Sequence, residues 1–210
     1  IEILEFQQDD FTATPQVAAF FVRQEAFDRL MMTKRFSIDN VDDRYASILH
    51  QAAASNNIRV MIYCIERNID VNIKNNKNMT PLHLAVLNGH IDATLLLASH
   101  NKININAKSV DDVTPLIIAA KNGYVKIATI LLNNPGIDVN LTDNKHSTAL
   151  HFAAFYNNME LVKLLVENKD INLAIKDENG RNAAELASAC GYEECAKFIA
   201  EHMKSDCSIA

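Results

Sequence analysis

A short phrase, in which Thr or Ser precedes an apolar run, returns at a fixed interval along this chain and constrains its fold more than any other feature. The phrase is clearest at residues 80–85, which read TPLHLA. Related segments begin at Ser47, Thr114, Thr148 and Asn182, with a fainter copy at Thr14. The intervals between the six starting positions are 33, 33, 34, 34 and 34 residues. A constant period in this range predicts a solenoid of stacked supersecondary units.

The residue types of the phrase predict that each copy starts a helix. Thr or Ser before an apolar run is a typical N-cap, because its hydroxyl accepts a hydrogen bond from an otherwise unpaired backbone amide. Pro81 and Pro115 follow at the first helical position, where the missing N–H needs no partner. Nine residues after each start comes Gly or Asn, which tolerate a left-handed backbone after a helix. These residues are Asn56, Gly89, Gly123, Asn157 and Gly191.

A second apolar pattern follows each of these turns. In one unit it consists of Ile58, Met61, Cys64 and Ile65, whose spacing puts them on one face of a helix. A short extended phrase then leads to a polar turn before the next unit, as at residues 69–72 and 75–78. Each unit is therefore predicted to contain a helix, a tight turn, an antiparallel second helix and a connecting loop.

The pattern resembles the ankyrin repeat, whose signature Thr-Pro-Leu-His-x-Ala is unbroken at residues 80–85. The resemblance covers residues 42–203. It implies an all-α repeat fold, an ankyrin-repeat solenoid of stacked helix-turn-helix units whose β-turn hairpins project as fingers. The expected repeats are 42–74, 75–108, 109–142, 143–176 and 177–203. In a solenoid each unit buries its faces only against its neighbours, so the end units need capping.

Both ends of the chain depart from the pattern. Residues 1–41 are expected to be an atypical N-terminal segment with a degenerate capping repeat, because Glu25 and Asp28 replace apolar residues of the later units. The alternative is that residues 1–41 belong to a preceding domain. Residues 204–210 lack apolar periodicity and are expected to form a disordered tail. Because the chain begins at Ile1, we expect a fragment or a processed product.

Composition argues against several classes of protein. The chain is 49% hydrophobic and 22% charged, as expected of a globular protein, and its net charge of −6 disfavours nucleic-acid binding. It has no apolar run of membrane-spanning length. Its four cysteines form no Cys-x-x-Cys motif, which fits a reducing compartment, and we expect a cytoplasmic protein. A high asparagine content leaves open a bacterial effector that acts in the host cytosol.

Catalysis, cofactors and metal ions are not expected. His50, His83 and His151 recur in phase, but the resemblance implies that this histidine bonds the backbone between adjacent repeats. Ile117 and Glu185 replace it in two units. The sequence has no Ser/His/Asp, Cys/His, paired-carboxylate or glycine-rich phosphate pattern. We therefore expect a protein that is not an enzyme.

Binding of a partner is the function that remains after catalysis is set aside. The position of each residue within its repeat indicates where binding would occur. The resemblance implies that fingers and first helices form the concave face on which such proteins bind partners. The predicted finger residues are Lys77, Met79, Val110, Val113, Lys145, His146 and Arg181. The predicted residues at the ends of the first helices are Leu87, Asn88, Lys121, Asn122, Phe155 and Tyr156. Large apolar and aromatic residues at such exposed positions are typical of interface hot spots.

The hypothesis is a monomeric interaction module that binds a protein partner, either an extended peptide or the edge of a domain. For Phe155 and Tyr156 we favour partner contact, whereas Met79 and Val113 could equally pack against the adjacent hairpin. The alternative is a regulatory or targeting domain of a larger multidomain protein: an enzyme, a channel or a secreted effector. The resemblance also suggests hydroxylation by an asparaginyl hydroxylase at Asn72, Asn106 and Asn140.

Overall fold

Five helix pairs follow one another in the computed structural model, which describes residues 47–206 and the side chains of 47–203. The first helices are α1 (Ile48–Ala54), α3 (Pro81–Leu87), α5 (Pro115–Asn122), α7 (Ala149–Phe155) and α9 (Ala183–Ala189). The second helices are α2 (Ile58–Glu66), α4 (Ile91–Ala98), α6 (Val125–Leu132), α8 (Met159–Val166) and α10 (Glu193–Asp206). Every first helix begins one residue after a start of the repeated phrase. The all-α repeat architecture predicted from the period is confirmed.

The capping chemistry explains why the first helices begin where they do. Ser47, Thr148 and Asn182 each form a capping box. The cap side chain accepts from the backbone N–H of the third helical residue, and the side chain of that residue accepts from the backbone N–H of the cap. Thr114 accepts from the backbone N–H of Ile117 at 3.3 Å, but the isoleucine side chain has no acceptor for the backbone N–H of Thr114.

The turns within the helix pairs also follow the prediction. Asn56, Gly89, Gly123, Asn157 and Gly191 all have positive φ, between 53° and 82°. Glycine and asparagine reach this region at the lowest steric cost, so their presence ends the first helix and reverses the chain.

The core is a continuous layer built from equivalent positions of successive repeats. Successive first helices pack against one another, and so do successive second helices. First helices contribute the buried leucines Leu49, Leu82, Leu116 and Leu150. Second helices contribute the buried residues Cys64, Leu97, Leu131, Leu165 and Ile199. Stability is therefore approximately a sum of terms for single repeats and for the interfaces between neighbours.

The C-terminal end differs from the prediction at one point. Helix α10 runs to Asp206, so residues 204–206, which we assigned to a disordered tail, are helical. The helix is long because no Gly or Pro interrupts residues 193–206. Glu193 and Glu194 lie in its first turn, where their negative charges interact favourably with the helix dipole. The predictions for residues 1–41 and 207–210 lie outside the described residues. Within 47–206, no helix has the length and apolar character needed to cross a membrane.

Candidate partner-binding surface

Buried histidines join adjacent repeats. The Nε2 atoms of His50, His83 and His151 lie 2.9, 3.1 and 3.1 Å from the backbone oxygens of Met79, Val113 and Arg181 in the following repeat. In His83 and His151, Nδ1 accepts from the backbone N–H of the cap residue. Nε2 must therefore carry the proton and donate to the neighbouring repeat. This is the structural role that the resemblance implied for these histidines.

Burial favours the neutral form of two of these imidazole rings. It lowers the pKa of His83 from 6.5 to about 4, although the backbone hydrogen bond to Val113 opposes the shift. Burial also lowers the pKa of His151. The third described repeat lacks this histidine bond to its neighbour, because Ile117 is buried in place of the histidine.

A second set of bonds between repeats comes from asparagines in the extended phrases. The Asn106 side chain donates to the oxygen of Gly136 at 2.8 Å and accepts from the N–H of Asp138 at 3.0 Å. Asn72 and Asn140 make the equivalent pairs of bonds one repeat earlier and later. The three candidates for hydroxylation therefore hold neighbouring loops together, and their modification stays a prediction.

The fingers are the turns at 75–79, 109–113, 143–147 and 177–181, and an acceptor side chain closes three of them. Oδ1 of Asn75, Asp143 and Asp177 accepts from the backbone N–H groups two and four residues later, at 2.9 or 3.0 Å. Asn and Asp favour such turns because their side chains reach their own backbone. The sequence analysis missed this position, although an Asn or Asp five residues before three of the helix caps was the available signal.

The fingers are also joined to one another. The backbone N–H of Val110, Asn144 and Glu178 donates to an oxygen of the preceding finger at 2.9 or 3.0 Å. Lys145 and Glu178 add an exposed ion pair at 3.6 Å. These bonds fix the spacing of the fingers, so that side chains of successive fingers form one surface.

The predicted residues at the ends of the first helices are exposed. Leu87, Phe155 and Tyr156 retain 45, 46 and 55% of their accessible surface. The Phe155 and Tyr156 rings meet edge to face with centroids 5.0 Å apart, a favourable geometry for two aromatic rings. Lys121 is exposed, and its Nζ lies 4.8 Å from the centroid of the half-buried Phe152 ring. The exposed residues Asn88 and Asn122 turn their amides back to helix carbonyls.

A cavity of about 170 Å³ lies where α7, α9 and the last finger meet. Its apolar wall consists of Phe152, Phe155, Tyr156 and Leu186. Its polar residues are Ser147, Asp177, Glu178, Asn179 and Arg181. The structure thus brings the predicted residues Phe155, Tyr156 and Arg181 together in one site. Phe152 and Leu186 were missed. Both lie four residues after a helix cap, which in α7 puts Phe152 on the same helix face as Phe155.

Arg181 has a fixed position in the rim of this cavity. Its guanidinium donates from Nε and Nη2 to Oδ2 of Asp177, at 3.2 and 3.0 Å. Burial opposes ionisation of Asp177, but hydrogen bonds from Arg181 and Asn179 outweigh it and hold the pKa of the carboxyl below its usual value. The carboxylate therefore remains available both to close the finger and to hold the arginine.

The other predicted finger residues divide into two groups. Met79 and Val113 are half-buried and pack against the core, which favours the packing role for both. Val110 keeps 62% of its surface exposed, and Lys77, Lys145 and His146 are exposed at the fingertips. His146 has a φ of 58°, an unusual conformation for a residue other than glycine or asparagine.

Exposed apolar residues also occur on the second helices. Ile62, Ile91 and Leu95 are exposed on α2 and α4. Leu95 borders a groove of about 550 Å³, which is lined further by the ends of α4 and α6 and by Pro135 and Gly136. No Phe, Tyr or Trp lines this groove, in contrast to the cavity beside α7.

Two of the three cysteines in the described part of the chain are buried. Burial raises the pKa of the Cys64 thiol to about 12 and also raises that of Cys195, so neither forms a reactive thiolate near neutral pH. Between residues 47 and 203, no group of three or more His, Cys, Asp or Glu side chains is arranged to hold a metal ion.

Comparison with known protein families identifies the repeat. The family model described as ankyrin repeats fits three times, over residues 16–109, 49–143 and 116–210. The three overlapping copies together extend from residue 16 to the last residue of the chain. No curated protein matches it.

Proposed function

Because the chain belongs to the ankyrin-repeat family, we propose that it is a non-catalytic protein-protein interaction module that binds its partner on the concave face of fingers and first helices. Fold alone does not determine function, so the proposal depends on the surface residues. The observation that carries it is the aromatic cavity formed by Phe152, Phe155 and Tyr156 beside the last finger.

The cavity has the composition of an interface hot spot. Two aromatic side chains about half exposed, in edge-to-face contact, offer a large apolar area with little side-chain freedom to lose on binding. The surrounding Arg181 and Asp177 are already paired with each other. A partner therefore need not neutralise a buried charge in order to insert an apolar group here.

The shape favours an extended peptide over a flat protein surface. The cavity accommodates about 170 Å³, which suits one side chain of the partner. Leu87, Lys121 and Phe155 occupy equivalent positions in successive repeats, so a peptide that crosses the first helices meets one of these side chains per repeat. We propose an apolar or aromatic anchor residue in the cavity and further contacts along this row.

Selection from a displayed library of random peptides tests the proposal without knowledge of the natural partner. Peptides selected on the wild-type chain are expected to share an apolar or aromatic residue. Their affinity for a Phe155→Ala/Tyr156→Ala variant is expected to fall by about 30-fold or more, because hot-spot residues contribute about 2 kcal/mol or more.

The matched control is Ile62→Ala/Leu95→Ala, which removes comparably exposed apolar side chains from second helices. This variant should bind the selected peptides with unchanged affinity, and circular dichroism should show native helix content in both variants. Equal binding by the wild type and the Phe155/Tyr156 variant would exclude the cavity as the site. Loss of binding in the control alone would move the site to the second helices.

A further inference from the structure

The tip of the last finger contains an Asn-Gly pair whose side-chain amide has no hydrogen-bond partner within the described part of the chain. We propose that Asn179 is a site of spontaneous deamidation, in which Gly180 supplies the attacking nitrogen and the product adds a carboxylate to the rim of the aromatic cavity. The chain has three Asn-Gly pairs, at 88–89, 122–123 and 179–180. The surroundings of the three differ, and the difference singles out Asn179.

The reaction needs only the chain and water. The backbone nitrogen of Gly180 loses its proton to solvent base and attacks Cγ of Asn179, forming a new C–N bond. The bond between Cγ and Nδ2 breaks and Nδ2 leaves as ammonia, which gives a five-membered succinimide. Water then adds to one of the two imide carbonyls and opens the ring, leaving aspartate or isoaspartate. No electron is transferred, and no oxidant or cofactor is required.

Steric access favours the pair in the finger. A Cβ built on Gly180 would meet no heavy atom within 4 Å. The same construction at Gly89 approaches the Tyr124 ring at 3.2 Å, and at Gly123 it approaches Nδ2 of Asn158 at 3.1 Å. Among the three pairs, the ring-forming rearrangement of side chain and backbone therefore meets the least steric hindrance at Gly180.

Hydrogen bonding to the side-chain amide gives the same ranking. Nδ2 of Asn88 donates to the Leu84 oxygen at 2.8 Å, and Nδ2 of Asn122 donates to the Ile118 oxygen at 2.9 Å. Both bonds hold Cγ against the end of a helix. The exposed Asn179 side-chain amide makes no hydrogen bond to any residue that the structure describes. Its Cγ is free to approach the next peptide nitrogen.

The backbone N–H of the glycine does not distinguish the sites. Gly180 donates to the Asp177 oxygen at 2.9 Å, and Gly89 and Gly123 make comparable bonds of 3.0 and 3.3 Å to their helices. Every glycine must break one such bond before it reacts. The amide restraint and the local space therefore decide the relative rates.

The product would change the last finger in two ways. A carboxylate at position 179 would stand beside Glu178 and Asp177 in the rim of the cavity. Isoaspartate would also lengthen the backbone at the residue whose N–H donates to Asp177 Oδ1 at 2.9 Å, and thereby loosen the closure of the turn. An effect on partner affinity rests on the proposed function, whereas the reaction itself does not.

Peptide mapping of the intact chain, incubated at mildly alkaline pH, tests the inference. Deamidation is read as the mass gain and the chromatographic splitting into aspartate and isoaspartate products. We expect the peptide with residues 179–180 to react roughly tenfold faster than those with 88–89 and 122–123, the factor that one side-chain hydrogen bond corresponds to. The two slower peptides are internal controls, since they experience the same solution.

Two further controls separate structure from sequence. In the urea-unfolded chain the three pairs should react at similar rates, because the restraints are gone. The variant Asn179→Gln should give no product at this position in the folded chain. Equal rates at the three pairs in the folded chain, or slowest reaction at 179–180, would overturn the inference. Binding of the selected peptides to aged wild-type chain and to aged Asn179→Gln then measures the consequence separately.

Discussion

The imidazole of His83 holds the backbone of Val113 in the next repeat, with Nε2 3.1 Å from the carbonyl oxygen, while Nδ1 accepts from the N–H of Thr80 at 3.1 Å. One buried side chain thus caps its own helix and fixes the adjacent finger. The same arrangement recurs at His50 and His151, so these rings provide one of the sets of polar bonds between repeats.

Replacement of His83 should destabilise the stack. His83→Ala removes both bonds and leaves a cavity in a fully buried position, so we expect the free energy of unfolding to fall by about 2 to 4 kcal/mol. Urea unfolding followed by circular dichroism measures the change. Lys126→Ala, at an exposed position of α6, should change it by less than about 0.5 kcal/mol. Similar losses in both variants would contradict the role assigned to the ring.

Stability should fall in mild acid. The pKa of His83 is lowered from 6.5 to about 4 in the folded chain, so the unfolded state binds more protons in this interval. The contribution of the ring is fully present above pH 6.5 and is lost progressively as the pH falls toward 4, up to about 3 kcal/mol. Urea midpoints across this interval measure it. His83→Ala should show a shallower pH dependence, and an unchanged slope would refute the assignment.

The asparagine bonds between loops should contribute independently of the histidines. Asn106→Ala leaves the Gly136 oxygen and the Asp138 N–H without their partner, and we expect a loss of about 1 to 3 kcal/mol in unfolding free energy. The control Asn101→Ala removes an exposed amide from the loop after α4 and should be nearly neutral. A neutral Asn106→Ala would mean that solvent replaces both bonds without cost.

The fingertip at His146 should be improved by glycine. His146 has a φ of 58°, a conformation that costs a residue with a Cβ roughly 1 to 2 kcal/mol. His146→Gly should therefore raise the free energy of unfolding by about 0.5 to 1 kcal/mol, after the entropy cost of glycine is included. His146→Ala keeps the Cβ and serves as the matched control. A gain in the alanine variant equal to that in the glycine variant would show that strain is not the cause.

Most of the fold could be predicted from the chain because the repeat carries its own boundary signals. The caps at Ser47, Thr114 and Thr148, and the left-handed residues Asn56 and Gly123, are local features whose effect depends on the nearest backbone. The length of α10 was underestimated, because loss of apolar periodicity does not stop a helix that lacks a breaker.

The candidate site could be predicted only in part. Exposure of Leu87, Phe155 and Tyr156 followed from their position in the repeat. The contributions of Phe152 and Leu186 could not be predicted. These residues line the cavity only because α7, α9 and the finger that carries Arg181 meet in the folded chain. The packing of Met79 and Val113 against the core was likewise undecided until neighbouring repeats were in place.

The sequence by itself determined the period, the family, the helix starts and the turns, because these depend on residues close together in the chain. The tertiary structure decided which exposed residues meet. Residues 30 or more positions apart, such as His151 and Arg181, are brought together only when one repeat stacks on the next. The stacking also sets the space around two of the three Asn-Gly pairs, because Tyr124 and Asn158 of the next repeat lie close to Gly89 and Gly123.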